Sequence, residues 1–241
     1  MSSGKPPPRK VRNRLLEALP PEGLEHLQGK LEHVPLALRE VLYNPDEPLG
    51  HVWFPLDGVV SLVSIMSDGA TVETATVGNE GMVGLPVFLG VDSLPGQAFV
   101  QVPGEALRLP AEDLRREVRD GRPLHSLLNR YTQTLFNQVA QSAACNRVHA
   151  IDERCARWLL MTHDRVSADA FPLTQEFLAQ MLGVRRPSVS TAASILQRAG
   201  FIRYSRGKIT VLDRPGLEGA ACECYGVVRR EYDRLLGGDA A

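Results

Sequence analysis

A chain of 241 residues, 44% apolar and 23% charged, is long enough for one large domain or two modest ones with a real core. No apolar run approaches the roughly 18 residues of a membrane span, and the start, MSSGKPPPRKVRNR, lacks a signal peptide's apolar stretch, so a cytoplasmic protein without membrane contact is expected. The net charge of −1 hides an asymmetry: residues 1–118 carry 10 basic against 16 acidic side chains, residues 150–214 carry 10 against 6, and the basic part is where an anionic partner is expected.

Residues 1–14 read as a basic flexible arm. NRLLEALPPEGLEHL then has a helical apolar pattern broken at Pro20–Pro21, which predicts two short helices. From Leu36 to Leu109 the texture changes to HVWFP, GVVSLVSIM, ATVETATV, QAFVQV and EALRL, short and rich in β-branched or aromatic residues. Turn signals such as NPDEPLG, LDG, SDG, GNEG and LPG separate them, the pattern of a β-roll, sandwich or barrel. PAEDLRREV predicts a short helix with acids in its first turn.

Pro123 to Arg147 has no internal Gly or Pro and predicts one long helix. Leu124, Leu128, Tyr131, Leu135, Gln138, Ser142 and Cys145 follow a 4-3 spacing along it, the seam of a coiled coil. A helix lying on its own domain has the same pattern. The length of about 25 residues, roughly 37 Å, favours a two-helix dimer seam. Farther on, FIRYS and KITVLD predict two strands about Arg206–Gly207, and GLEGAACECYGVVRREYDRLLGG a terminal amphipathic helix. Cys145, Cys155, Cys222 and Cys224 are too sparse for a disulfide framework. The Cys222–Cys224 pair alone is weak evidence for metal, and packing is the expected role; no metal site and no cofactor are predicted.

The most informative stretch is TQEFLAQMLGVRRPSVSTAASIL. Thr174 suits an N-cap with Glu176 behind it. Ala179 is small where a second helix must cross, and Gly183 permits a positive φ at the corner. Pro187 suits the first helical position, and Leu178, Leu182, Val184, Val189 and Ala192 supply the apolar faces. This is a helix-turn-helix followed by a β-hairpin wing. Arg185 and Arg186 oppose the positive end of the second helix's dipole unless they meet an anion, and in a helix-turn-helix that end faces the DNA major groove. Ser188, Ser190 and Thr191 share the helix, and Arg206 and Lys208 stand at the wing turn.

A β-roll, a long central helix and a winged helix-turn-helix in that order resemble the Crp–Fnr superfamily of bacterial transcription regulators. ATVGNEGMVGLPVFLG resembles the glycine-rich element before that family's nucleotide-binding cassette. The resemblance implies an α+β fold with the β-roll over 15–118, a dimerisation helix over 119–149, a winged helix-turn-helix over 150–214 and a helical extension over 215–241. It also implies a homodimer on double-stranded DNA, with RNA polymerase a candidate further partner. Phosphate contacts carry over to Thr174 and Gln175, and base readers to Arg186, Pro187 and Thr191. The family commonly has a glutamate in place of Pro187 and an arginine in place of Thr191, which points to a different half-site.

An effector pocket would involve Gly78, Asn79, Glu80, Gly81, Gly96 and Gln97. Cyclic-AMP-binding members hold the phosphate with an arginine and a hydroxyl where this chain has Gly96–Gln97, and no arginine lies between Arg39 and Arg108. An unpaired buried phosphate is costly, which argues against cyclic AMP and leaves the effector unknown. Neither G-x-S-x-G, a Walker loop nor H-E-x-x-H occurs, so no enzyme is expected. A ligand-sensing β-roll whose winged helix makes protein contacts is the alternative.

Overall fold

The computed structural model describes residues 13–118 and 122–236. Most of the expected basic arm, the first residues of the expected central segment (119–121) and the end of the C-terminal extension lie outside those residues. Asn13 caps α1 (Arg14–Glu17), its side-chain oxygen accepting the Leu16 N–H. Its amide donates to the carbonyls of Pro55 and Gly81, both at 2.9 Å. Pro21 opens α2 (Pro21–Gln28), where its missing N–H costs nothing.

The β-roll comprises β1 (Glu32–Leu36), β2 (Val41–Tyr43), β3 (His51–Ile65), β4 (Thr71–Val77) and β5 (Gly96–Pro110). The strands run antiparallel in the order β1-β5-β3-β4, with β2 also on β5. Two expected breaks prove to be bends. LDG lies inside β3, and QAFVQV joins EALRL as β5, so four expected short strands form two strands of 15 residues. Gly58 adopts φ 89°, and a Cβ on Gly104 would stand 2.1 Å from the Asp57 carbonyl oxygen. Glycine here lets two long strands crease together, with register shifts through Pro55, Asp57, Val59 and Val60.

After α3 (Ala111–Glu117) comes α4 (Pro123–Val148), and the stripe expected as a dimer seam lies on its inward face. Leu124, Leu128, Tyr131, Leu135, Gln138 and Cys145 are all buried within this one chain. Tyr131 Oη donates to the Met82 carbonyl and Gln138 Nε2 to the Thr76 carbonyl, each at 3.0 Å. Ser142 Oγ accepts from Arg157 at 2.7 Å. Heptad spacing marks a stripe that packs within this one chain, against β4 and the C-terminal helix, with Ser142 half-buried. The outward face carries Phe136 (66% exposed) and Val139 (38%).

The C-terminal part continues with α5 (Ile151–His163), β6 (Ala170–Pro172), α6 (Gln175–Leu182), α7 (Arg186–Arg198), β7 (Ile202–Ser205), β8 (Lys208–Val211), α8 (Arg214–Ala220) and α9 (Cys224–Leu236). The wing sheet has the order β6-β8-β7, and its third strand, β6, goes beyond the two-stranded hairpin expected from the sequence. Phe171, Leu178, Leu182, Val189, Ala192, Leu196 and Ile209 are buried in a core continuous with that of the roll. Trp158 on α5 donates to Glu73 on β4 at 2.8 Å, Phe177 stands edge-on to Phe99, and Asp57 accepts from the Ser167 N–H and hydroxyl at 3.1 and 2.9 Å. No helix among the described residues is long and apolar enough to cross a membrane.

Candidate nucleic-acid interface

The Thr174 hydroxyl accepts the Phe177 N–H at 3.1 Å, the cap that starts α6. Gly183 ends it at φ 63°, left-handed geometry that favours glycine. Arg185 is the N-cap of α7 and Arg186 its first residue. Pro187 therefore sits at the second helical position, one later than expected; that N–H also lacks an intrahelical partner, so no bond is lost. The first turn of α7 carries no acid. Arg186 has its side chain 65% exposed, with Glu176 no closer than 3.8 Å.

Three contacts make the expected residues into one surface. Ser190 Oγ donates to Gln175, tying the two helices together. Glu176 approaches Arg186. The wing turn, with Arg206 at φ 50° and Gly207 at φ 73°, lies against Thr174: a Cβ on Gly207 would be 3.7 Å from Thr174 Cγ2, and the Gly207 carbonyl accepts the Leu173 N–H at 2.8 Å. Arg206 and Lys208 thus stand beside the start of α6. Thr191 is exposed, its hydroxyl donating to the Pro187 carbonyl at 3.1 Å, and Ser188 is half-buried in the first turn. These contacts bring Thr174, Gln175, Ser190 and the wing turn of Arg206–Lys208 together, with Arg185, Arg186 and Thr191 exposed at the start of α7.

The expected effector residues do not converge. Val77, just before Gly78, pairs with Val60, whereas Gly96 pairs with Ser64 farther along β3. The two groups lie about four residues apart along the strand, on the order of 13 Å. Glu80 is buried and accepts from Arg165 at 2.8 Å. Arg165 also donates to the Met161 carbonyl at 2.6 Å; burial works against its charge, but the field of Glu80 and its neighbours outweighs that and raises its pKa. A Cβ on Gly78 would meet Arg165 Cγ at 2.4 Å, and one on Gly81 would meet Tyr131 Oη at 2.4 Å. The backbone of Asn79 accepts the Arg14 N–H, and Gln97 donates to Asn44. Arg165 and Tyr131 thus stand against the glycine-rich loop, and a cavity beside it is lined by Arg14, Asn79, Glu80, Arg165 and Tyr232.

One cluster goes beyond what the sequence reading anticipates. Cys145 and His149 at the end of α4 meet Cys222 and Cys224 beside α9, with one ligand atom of each lying within 4.8 Å of the others. The pattern Cys145-x-x-x-His149, four residues apart on a helix, is its sequence signal, together with the Cys222–Cys224 pair.

Residues 34–120 match the cyclic nucleotide-binding domain and residues 153–220 the Crp-like helix-turn-helix domain, together well over half of the chain. The chain belongs to the Crp–Fnr superfamily. Solved structures of this superfamily share its fold. FixK2 from Bradyrhizobium japonicum is 19% identical with a TM-score of 0.67, over 80% of this chain and 98% of that one. A CRP-family transcriptional regulator from Thermus thermophilus, TTHB099, is 22% identical with a TM-score of 0.65, over 79% and 99%. The c-di-GMP responsive global regulator CLP of Xanthomonas campestris is 15% identical with a TM-score of 0.61, over 79% and 98%. No curated protein sequence matches the chain.

Proposed function

We propose that the protein is a sequence-specific DNA-binding transcription regulator that works as a homodimer and without cyclic AMP. The observation that carries this reading is the cationic face at the start of α7: Arg185 and Arg186 are exposed where a helix dipole already presents positive charge. A phosphate backbone or a guanine edge resolves that conflict. We divide the chain into a β-roll, the central helix α4, and a winged head running through α8, whose Leu217 is buried, followed by α9. Contact with RNA polymerase belongs to the same proposal.

The second copy is assigned to the outward face of α4. Thr132, Phe136, Val139 and Ala143 repeat at 4-3 spacing there, the pattern of a helix-on-helix seam. The pairing of Glu80 with Arg165, and the side chains standing against Gly78 and Gly81, support independence from cyclic AMP. Calorimetry with cyclic AMP and cyclic GMP is expected to give no heat of binding; micromolar affinity for either removes that part of the proposal.

The deciding experiment is a titration of the purified chain with operator DNA, selected from random duplexes, at several salt concentrations. If six to ten phosphates are neutralised, affinity should fall by about 10³–10⁵ between 50 and 200 mM salt. A winged head that served protein contacts alone would select no sequence and show no such slope. Phe136→Asp should give a monomer in sedimentation with weakened operator binding; an unchanged dimer refutes the outward seam.

A further inference from the structure

Away from the DNA-facing surface, Cys145, His149, Cys222 and Cys224 enclose a small space between α4 and α9. Cys145 lies in the last turn of α4, and His149 caps that helix four residues later, so both side chains leave the same face. Cys222 precedes α9 and Cys224 begins it. The Sγ atoms of Cys145 and Cys222 are 3.5 Å apart, as are Cys224 Sγ and His149 Nδ1. All four donor atoms lie within 4.8 Å of one another.

These distances select among the chemistries open to three thiols and an imidazole. A disulfide needs about 2.05 Å between sulfurs and would leave the imidazole and a third thiol without a role. A four-iron cluster sets its thiolates on separate irons and asks for a wider ring. A tetrahedral ion with bonds of about 2.3 Å to sulfur and 2.0 Å to nitrogen puts its ligands about 3.4–3.8 Å apart. The two closest pairs meet that spacing, and small side-chain rotations close the rest.

The surroundings are those of a built site. Cys145, Cys222 and Cys224 form a buried cluster of their own. His149 Nε2 is 3.1 Å from the Glu223 carboxylate, which fixes the ring with Nδ1 toward the sulfurs, the carboxylate–histidine arrangement of metal ligands. Gln141 Nε2 donates to Cys224 Sγ at 2.9 Å. Arg154 and Arg157, both buried on α5, each keep an Nε without a hydrogen-bond partner, and both interact electrostatically with Cys145. A divalent ion with three thiolates and a neutral imidazole carries a net charge of −1, which these guanidinium groups are placed to offset.

We propose that Cys145, His149, Cys222 and Cys224 bind one Zn²⁺ ion that fastens α9 to the end of α4. Binding releases the thiol protons and involves no change of oxidation state. The proposal is independent of whether the protein reads DNA.

The test uses the full chain, purified without an affinity tag that holds metal. Elemental analysis should return one zinc per chain, and cobalt(II) added to chelator-treated protein should give the intense visible absorption of tetrahedral thiolate coordination. Cys222→Ser and Cys224→Ser should each abolish that spectrum. Glu223→Gln, which leaves every ligand in place, should lower zinc affinity about 10–100-fold with the fold retained, so the inference does not depend on a cysteine variant folding. Stoichiometric iron and sulfide, an octahedral cobalt spectrum, or chelator-treated protein that takes up neither zinc nor cobalt would overturn it.

Discussion

Two guanidinium groups of this chain show the same side chain in opposite circumstances. Arg165 is buried, paired with Glu80 and bonded to the Met161 carbonyl. Arg186, at the start of α7, is largely exposed, with its nearest carboxylate 3.8 Å away. A charge whose partner comes from its own chain fixes the fold, and it withdraws the groups around it from any ligand. A charge left without a close partner is available to one. At the glycine-rich loop the charge of Arg165 is turned inward onto Glu80, whereas the second helix of the helix-turn-helix presents its charge outward.

The comparison breaks most visibly if the inner pair is broken. Arg165→Met strands Glu80 in a buried site and should cost about 3–5 kcal/mol of stability, read as a lower midpoint in urea. Adding Glu80→Gln should recover much of that loss. Arg186→Ala, on the surface, should leave stability within about 0.5 kcal/mol; a large loss there would erase the contrast.

Its effect belongs to DNA. Arg186→Ala should cost about 1–3 kcal/mol on the selected operator and relax preference at one base pair of each half-site, measured against single-base variants. Arg185→Ala should instead weaken specific and random DNA alike and lower the salt slope by about one per phosphate lost. Equal behaviour of the two variants would mean that the helix meets the groove in another register.

The subtlest expectation concerns Glu73, between the two regions. Burial lifts its pKa from 4.5 to about 7, against the donors Ser61 and Trp158. The folded state then holds the proton more tightly than the unfolded one. Stability from this group is fully present below about pH 4.5 and declines as pH rises through about 7. Glu73→Gln should flatten that part of the pH–stability curve; an unchanged slope would mean the carboxyl stays ionised throughout.

How much the sequence discloses depends on how local each signal is. The cap at Thr174, the corner at Gly183 and the wing turn at Arg206–Gly207 are set by neighbours a few residues away, and each adopts the expected backbone. The stripe from Leu124 to Gln138 is legible as buried, but spacing along one helix does not say what buries it. Here it is β4 and a helix some 90 residues later, whose Tyr232 reaches Gln138 at 3.0 Å. LDG reads as a turn because a glycine with positive φ serves a turn and a bend inside a long strand equally well. The Cys–His cluster joins two segments more than 70 residues apart, each too weak alone to suggest metal.

The crease in the β-roll has a reach beyond the sheet. Where β3 and β5 cross, no methyl group fits between Gly104 and the Asp57 carbonyl, and Asp57 is the residue that grips Ser167, just ahead of β6. The two strands act as a shim under the winged head. Thickening the shim by one carbon, with Gly104→Ala, should displace the Asp57 carbonyl and disturb its two hydrogen bonds to Ser167. The contact between the roll and the segment leading into the wing can thus be perturbed from inside the roll's sheet, without touching Arg185 or Arg186.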